Sequence, residues 1–211
     1  MSYFITLEGP EGSGKTIQAR TLAEHLRTLG HEVLLTREPG GTLIGDQIRR
    51  VLGALDNTSM RPSTEFLLFS ASRAQHVDEV IRPHLDAGGV VVCDRYYDSS
   101  LAYQGFGHGL DLQALRQITR FATGGLAPDL TLLLDMAADA GLSRRRKDGN
   151  WNRLDSYELE FHRRVRQGYL ELAAAEHERW TVIDAAPSIE IVQEQIQAIV
   201  EAHLAKKGTA E

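Results

Sequence analysis

Gly9-Pro10-Glu11-Gly12-Ser13-Gly14-Lys15-Thr16 has the spacing G-x-x-x-x-G-K-[ST] of a phosphate-binding loop. Directly before it, Tyr3-Phe4-Ile5-Thr6-Leu7 is a short apolar run that reads as a buried first strand. Directly after it, Ile17, Leu22, Ala23 and Leu26 recur on one face of a helical pattern. A glycine-rich turn between a strand and a helix leaves backbone N–H groups pointing into the turn, with a positive helix end behind them. Triphosphate oxygens fit there. In that setting Lys15 reaches the β- and γ-phosphates and the Thr16 hydroxyl holds Mg²⁺. A merely flexible glycine turn is the alternative, and the flanking strand and helix weigh against it. The loop points to a nucleoside triphosphate and leaves the phosphate acceptor open.

Outward from this loop, apolar strand-type runs alternate with helical patterns. The strands are expected at Tyr3 to Glu8, Glu32 to Arg37, Val90 to Asp94, Leu130 to Asp135 and Trp180 to Asp184. The helices are expected at Lys15 to Leu29, Gly45 to Leu55, Ser63 to Asp86, Asp111 to Thr123, Ala138 to Arg145, Ser156 to His177 and Ser188 to Leu204. Continuous apolar strands between helices predict an α/β fold, a five-stranded parallel sheet covered on both faces. With 211 residues the chain is read as one domain, 1–211, with a short basic lid at about 143–153. That lid packs Arg144, Arg145, Arg146, Lys147 and Arg153 around Gly149 and Asn150.

The net charge of −6 argues against a broad nucleic-acid surface, so local arginine clusters need a smaller anion as their reason. The single cysteine, Cys93, excludes a disulfide within the chain and sits in an apolar run, as a buried strand thiol does. No apolar stretch approaches membrane-spanning length and the start does not read as a signal peptide, so the cytoplasm is the expected compartment.

The remaining chemistry gathers at predicted strand ends. Val90 to Asp94 is an apolar strand ending in a carboxylate, which beside a P-loop suits Mg²⁺ held through water. Arg95 follows it, placed to clamp a phosphate, which fits an acceptor that is itself a phosphate better than a water-activating ATPase. Arg37, before the turn Glu38-Pro39-Gly40-Gly41, closes the second strand on the same rim. Phe69 and Arg73 are four apart on one helix and share a face suited to a flat heterocycle with a carbonyl, although core packing also accounts for Phe69. Ser100, Tyr103 and Gln104 share a helical face of hydrogen-bonding groups, and Gly105-Phe106-Gly107-His108-Gly109 reads as a loop. Glu8 puts a carboxylate directly before the P-loop, beside a sugar hydroxyl or hydrated Mg²⁺.

Over essentially its whole length the chain resembles thymidylate kinases of the bacterial type. The carriers are Leu7-Glu8-Gly9 with the P-loop, Thr36-Arg37-Glu38-Pro39-Gly40-Gly41-Thr42, Phe69 with Arg73, the string Asp94-Arg95-Tyr96 with Asp98 to Gly105, and Pro128 to Asp135. The resemblance implies transfer of the γ-phosphoryl group of ATP to dTMP, giving dTDP on the way to dTTP, with Mg²⁺ and a homodimer. Another pyrimidine nucleoside monophosphate kinase of the same fold, acting on dUMP, UMP or CMP, is the alternative. The resemblance also implies that Phe69 stacks on thymine, Arg73 bonds O4, Ser100 and Gln104 address the remaining base edge, and Tyr103 sits against C2′ of the sugar. Arg95 and Arg37 would hold the 5′-phosphate, with Glu8 near the 3′-hydroxyl. Residues Gly9 to Thr16 and Arg144 would bind ATP, and Thr16 and Asp94 the metal. Some family members carry an arginine where this chain has Gly12; those without it place the catalytic arginine in the lid. Arg153, in Arg153-Leu154-Asp155, best matches that motif.

Overall fold

The computed structural model describes residues 2–147, 149 and 151–208. Tyr3–Glu8 forms strand β1, and all six of its residues are buried. A strand buried on both faces must be central, and β1 pairs in parallel with β3 (Val90–Asp94) on one side and β4 (Leu130–Asp135) on the other. The edges are β2 (Val33–Arg37) and β5 (Trp180–Asp184), both only partly buried. The order is β2-β3-β1-β4-β5, all parallel. This is the expected five-stranded parallel sheet.

Helix α1 (Lys15–Thr28) and helix α9 (Ile189–Gly208) cover one face. Ala19, Leu22, Ala23 and Leu26 from α1 meet Val192, Ile196 and Val200 from α9 over Ile5, Leu7, Val92 and Leu132. The other face is covered by α3 (Pro62–His76), α5 (Tyr97–Ser100), α6 (Leu112–Thr123) and α8 (Leu159–Ala175), where Phe66, Leu101, Leu115, Phe161, Val165 and Tyr169 pack together. α2 (Leu43–Gly53) opens on Thr42, whose hydroxyl accepts from Gly45 N at 2.9 Å, a hydrogen-bonded N-cap. α3 runs through a wide turn, Val77–Ile81, into α4 (Arg82–Asp86), so the long helix expected at Ser63 to Asp86 is continuous but not regular α throughout.

Two stretches differ from the sequence reading. The helix expected from Ser156 starts only at Leu159, after a short 3₁₀ turn at Leu154–Ser156. The segment read as a loop at Gly105 to Gly109 is helical as far as Gly107, in a wide π-type winding over Leu101–Gly107. Its glycines serve close packing: a side chain at Gly105 would strike Leu112, and one at Gly107 would strike Phe161. Every strand points its carboxyl end to one rim, where Arg37 and Asp94 are register partners. The basic segment is helical at its start, since α7 (Ala138–Lys147) extends two residues past the expected end. Residues 148 and 150 of the expected lid lie outside the described residues, as does the end of the tail.

Candidate active site

A cleft of about 1260 Å³ opens on the carboxyl rim of the sheet. That is larger than the ~300–1,000 Å³ usual for one small ligand, and it suits two. At one end it is lined by Gly12, Gly14, Lys15 and Thr16 of the P-loop, Arg144 of α7, and Pro187 to Glu190 before and at the start of α9. At the other end stand Phe69, Ser100, Tyr103 and Gln104. The lining also includes Glu11, Arg37, Arg49, Asp94, Arg95, Arg145 and Lys147.

Lys15 donates to Pro10 O at 2.6 Å and Ser13 Oγ at 3.2 Å, which folds the loop around its ammonium group. Burial pushes it down to about 8, and Arg95 acts in the same direction. The Thr16 hydroxyl donates to Asp94 Oδ2 at 2.5 Å, so one hydroxyl and one carboxylate meet at the P-loop helix start. Among the described residues no cluster of three His, Cys, Asp or Glu side chains could cage a metal. Two hard oxygens with room for water and phosphate suit Mg²⁺, which prefers that mixed donor set to an all-protein cage.

Gly12 has φ of +71°, and a side chain there would run into the Gly141 carbonyl of α7. The P-loop and α7 approach too closely for an arginine at position 12.

Arg95 is held from several sides. Its Nη1 donates to Gly9 O, Ser99 Oγ and Tyr169 Oη at 3.1–3.2 Å, and its Nη2 to Glu11 Oε1 at 2.8 Å and Tyr103 Oη at 3.3 Å. It is the one non-glycine residue with positive φ, +70°, among the described residues. Such a conformation costs on the order of 1–2 kcal/mol for an L-residue. The surrounding hydrogen bonds hold it there, aiming the guanidinium into the cleft.

Glu8 is not where the sequence reading puts it. It is the last residue of the central strand, is 0 % exposed and does not line the cleft. Its carboxylate accepts from Tyr96 N at 2.7 Å, Ser99 Oγ at 2.6 Å and Tyr169 Oη at 2.9 Å. It anchors the turn that carries Arg95. Burial, then Asp98, push it up to about 7. The carboxylate of the P-loop that does line the cleft is Glu11. Burial raises it, but Arg95, Lys15 and a hydrogen bond from Tyr103 outweigh that and hold it at about 2. Tyr103 Oη donates to it at 2.8 Å. In a G-x-x-x-x-G-K-T string Glu11 looks like filler, and only the turn's geometry sends it into the cleft.

Arg153 is likewise elsewhere. Its Nε donates to Leu52 O at 3.0 Å, its Nη1 to Tyr157 Oη at 2.7 Å and its Nη2 to the carboxylate of Glu65. It is buried and does not line the cleft. A group whose three nitrogens are engaged behind the site is not poised as a mobile finger. From the lid, Arg144, Arg145 and Lys147 do line the cleft. Arg145 pairs with Asp155 at 3.2 Å and contributes to the field that lowers Glu11. Arg144 donates to Ala185 O and Ala186 O, both at 3.1 Å, joining α7 to the loop before α9.

Arg49 on α2 escaped the sequence reading. It lines the cleft beside Arg37, and its Nη1 donates to Pro39 O at 2.8 Å. Burial and then Arg37 lower its pKa, as expected of two guanidiniums sharing a place for an anion. Its only sequence signal is an arginine on the helix that follows the Arg37 turn.

At the far end, Arg73 is 1 % exposed. Its Nε donates to Glu38 Oε2 at 2.7 Å and its Nη2 to Ser100 Oγ at 3.1 Å, while Nη1 has no partner. Glu38 also meets His76 Nδ1 at 3.1 Å, and His76 Nε2 lies 2.7 Å from Thr36 Oγ1. Arg73 is itself absent from the cleft lining, while Ser100, which it contacts, is part of it. Gln104 donates from Nε2 to Glu65 Oε1 at 2.8 Å and leaves its carbonyl oxygen unpartnered.

The sequence matches the family described as Thymidylate kinase over residues 7–196. A thymidylate kinase of Roseiflexus sp. (strain RS-1) is 58 % identical, covering 97 % of this chain and 96 % of its own. One from Deinococcus radiodurans is 54 % identical over 93 % of this chain and 95 % of its own. Among solved structures, a crystal structure of thymidylate kinase from Ehrlichia chaffeensis aligns with a TM-score of 0.77 at 33 % identity, covering 95 % of this chain and 98 % of that one.

Proposed function

The chain belongs to the thymidylate kinase family, and from that premise we propose how its cleft moves the γ-phosphoryl group of ATP to dTMP. The reaction is the one the family carries out: the bond between the γ-phosphorus and the β,γ-bridging oxygen breaks, a bond from a dTMP phosphate oxygen forms, and dTDP and ADP leave. The acceptor phosphate is already a nucleophile near neutral pH, so the protein has to supply alignment and charge stabilisation.

Lys15 and the P-loop amides hold the β- and γ-phosphates, with Arg144 and the loop before α9 around the base of ATP. Arg95, Arg37 and Arg49 hold the acceptor's 5′-phosphate. Arg145 from the lid helix is the cation best situated to meet charge on the transferring group. Thr16 and Asp94 would hold Mg²⁺, which would supply positive charge to neutralise the donor phosphates. Phe69 stacks on the thymine ring, Arg73 and Gln104 read its edge, and Glu11 with Tyr103 meets the deoxyribose. The observation that carries this reading is one cleft with a triphosphate loop at one end and an aromatic, hydrogen-bonding pocket at the other, with guanidiniums between.

We read the chain as one domain whose segment at about 143–153 closes over both substrates and excludes water. The cytoplasm is the proposed compartment, in keeping with nucleotide substrates and a buried free thiol at Cys93. No helix among the described residues is long and apolar enough to cross a membrane. A homodimer is supported by exposed apolar side chains at Ile44 and Val51 on α2, Leu67 on α3 and Phe121 on α6, the last 88 % exposed. Light scattering should read twice the chain mass of 23.4 kDa; a single-chain mass at micromolar concentration counts against it.

The acceptor assay tests the function. With ATP and Mg²⁺, ADP release should be fastest with dTMP and slower with dUMP, since one methyl in a pocket is worth only ~1–3 kcal/mol. AMP and GMP should be inert and chelation of Mg²⁺ should silence the reaction. CMP or AMP outperforming dTMP refutes the assignment.

A further inference from the structure

Glu65 has no place in the reaction above, yet it is among the most heavily bonded side chains in the molecule. It lies on α3, one turn before Phe69, and is 1 % exposed. Its Oε1 accepts from Gln104 Nε2 at 2.8 Å and has His108 Nε2 at 3.4 Å. Its Oε2 accepts from Tyr157 Oη at 2.9 Å and from Arg153 Nη2. Burial raises its pKa, but the His108 ring, Arg153 and Gln104 outweigh that and hold it at about 2. It is therefore an anion at any working pH, and an ionised carboxylate only accepts hydrogen bonds.

An amide such as that of Gln104 has one donating and one accepting end, and it can exchange them by rotating half a turn. A carboxylate on one side removes the choice. The NH₂ end must face Glu65, and the carbonyl is the end left over. Gln104 lines the cleft, is 1 % exposed, and its Oε1 is the end without a partner. Behind Ser100, which lines the cleft and accepts from Arg73 Nη2 at 3.1 Å, the unpartnered atom of Arg73 is a donor, Nη1. The two side chains read as base-edge contacts thus hold one spare acceptor and one spare donor. Thymine and uracil present the complement, N3–H and O4. Cytosine presents the reverse, N3 as acceptor and an amino group at C4.

We propose that Glu65 is a positioning residue for base choice, fixing the Gln104 amide with its carbonyl toward the pyrimidine, and that Arg153 and Tyr157 tie this orientation to the segment following the lid. The inference rests on the reading of Gln104 as a base-edge contact. Glu65 touches no substrate and acts through Gln104. Arg153, read from sequence as a finger, thereby gains a different role, as the counter-ion that keeps Glu65 charged and in place.

The test is the ratio of kcat/KM for dTMP over dCMP at saturating ATP. In Glu65→Gln the neighbour of Gln104 becomes an amide with a donor of its own. Gln104 is then free to turn its NH₂ end to the pocket, and the ratio should fall about tenfold or more, the loss that one mispaired buried hydrogen bond produces. Gln104→Ala should also lower the ratio, and adding Glu65→Gln to it should lower it no further. A merely structural Glu65 would reduce stability and turnover for both acceptors and leave their ratio intact, and that result overturns the inference. A ratio unmoved by Gln104→Ala overturns the reading of Gln104 beneath it. If Glu65→Gln does not fold, Glu65→Gln with Arg153→Met removes both buried charges together, and the same ratio is read.

Discussion

Arg95→Ala should lower kcat/KM for dTMP by about 30-fold to 5 × 10³-fold, the range expected when a charged group in a buried site loses its partner, ~2–5 kcal/mol. The residue sits at the β3 terminus, with its backbone N bonded to Leu7 O at 3.0 Å and its guanidinium in the cleft. It is the centre of a fan of contacts to Gly9, Glu11, Ser99, Tyr103 and Tyr169. On the proposed reading, removing it takes away a phosphate clamp and the guanidinium that pairs with Glu11 at 2.8 Å. The KM for ATP should change little, because Lys15 and the P-loop amides remain. Alanine also inherits the φ of +70°, so Arg95→Gly is the companion variant. It removes the same side chain and relieves the backbone. Both should lose dTMP turnover alike, with glycine melting higher. Normal dTMP binding by calorimetry in either variant would show that Arg95 does not hold the acceptor.

The second large effect separates two arginines of the lid region. Arg145→Ala should cut the single-turnover rate with both substrates saturating by about 10³-fold, the lower end of what a transition-state arginine supplies, while moving KM little. Arg153→Ala should instead act on stability. It leaves Glu65 buried without its counter-ion, a change that costs ~3–5 kcal/mol, so the melting temperature should drop markedly. The surviving folded enzyme should transfer phosphate far faster than Arg145→Ala. A native melting temperature with a 10³-fold slower chemical step for Arg153→Ala, the effect of a lost arginine finger, would restore the finger role to it. Restoring charge by Gly12→Arg should rescue neither variant, because the Gly141 carbonyl occupies the space.

The sheet was legible because its strands are continuous apolar runs between helical patterns, and Val90-Val91-Val92-Cys93-Asp94 fits little else. The wide winding at Leu101–Gly107 was not legible in its glycine-rich end, since Gly105 and Gly107 have the composition of a loop. Their smallness serves the close approach of Leu112, on the next helix, and of Phe161, on α8. At the site, sequence distance from the P-loop stood in for spatial distance and failed for Glu8. Glu8, last on β1, turns toward Tyr96, Ser99 and Tyr169, whereas Glu11, in the turn itself, faces the cleft. Arg153 shows a similar limit. Its motif is legible, but the acceptors that engage it, Leu52 O, Glu65 and Tyr157, lie on three separate segments. Arg49 was invisible because an arginine on a half-exposed helix face has the same signature as a solvated charge.

The most direct measurement is a single turnover with γ-phosphate-labelled ATP, excess enzyme and Mg²⁺, with and without dTMP. With dTMP the label should appear in the β-phosphate of dTDP at one equivalent per ATP consumed, and without it ATP should persist, since an unfilled acceptor site leaves the cleft open. Label released as inorganic phosphate at the same rate in both samples would contradict phosphoryl transfer to dTMP.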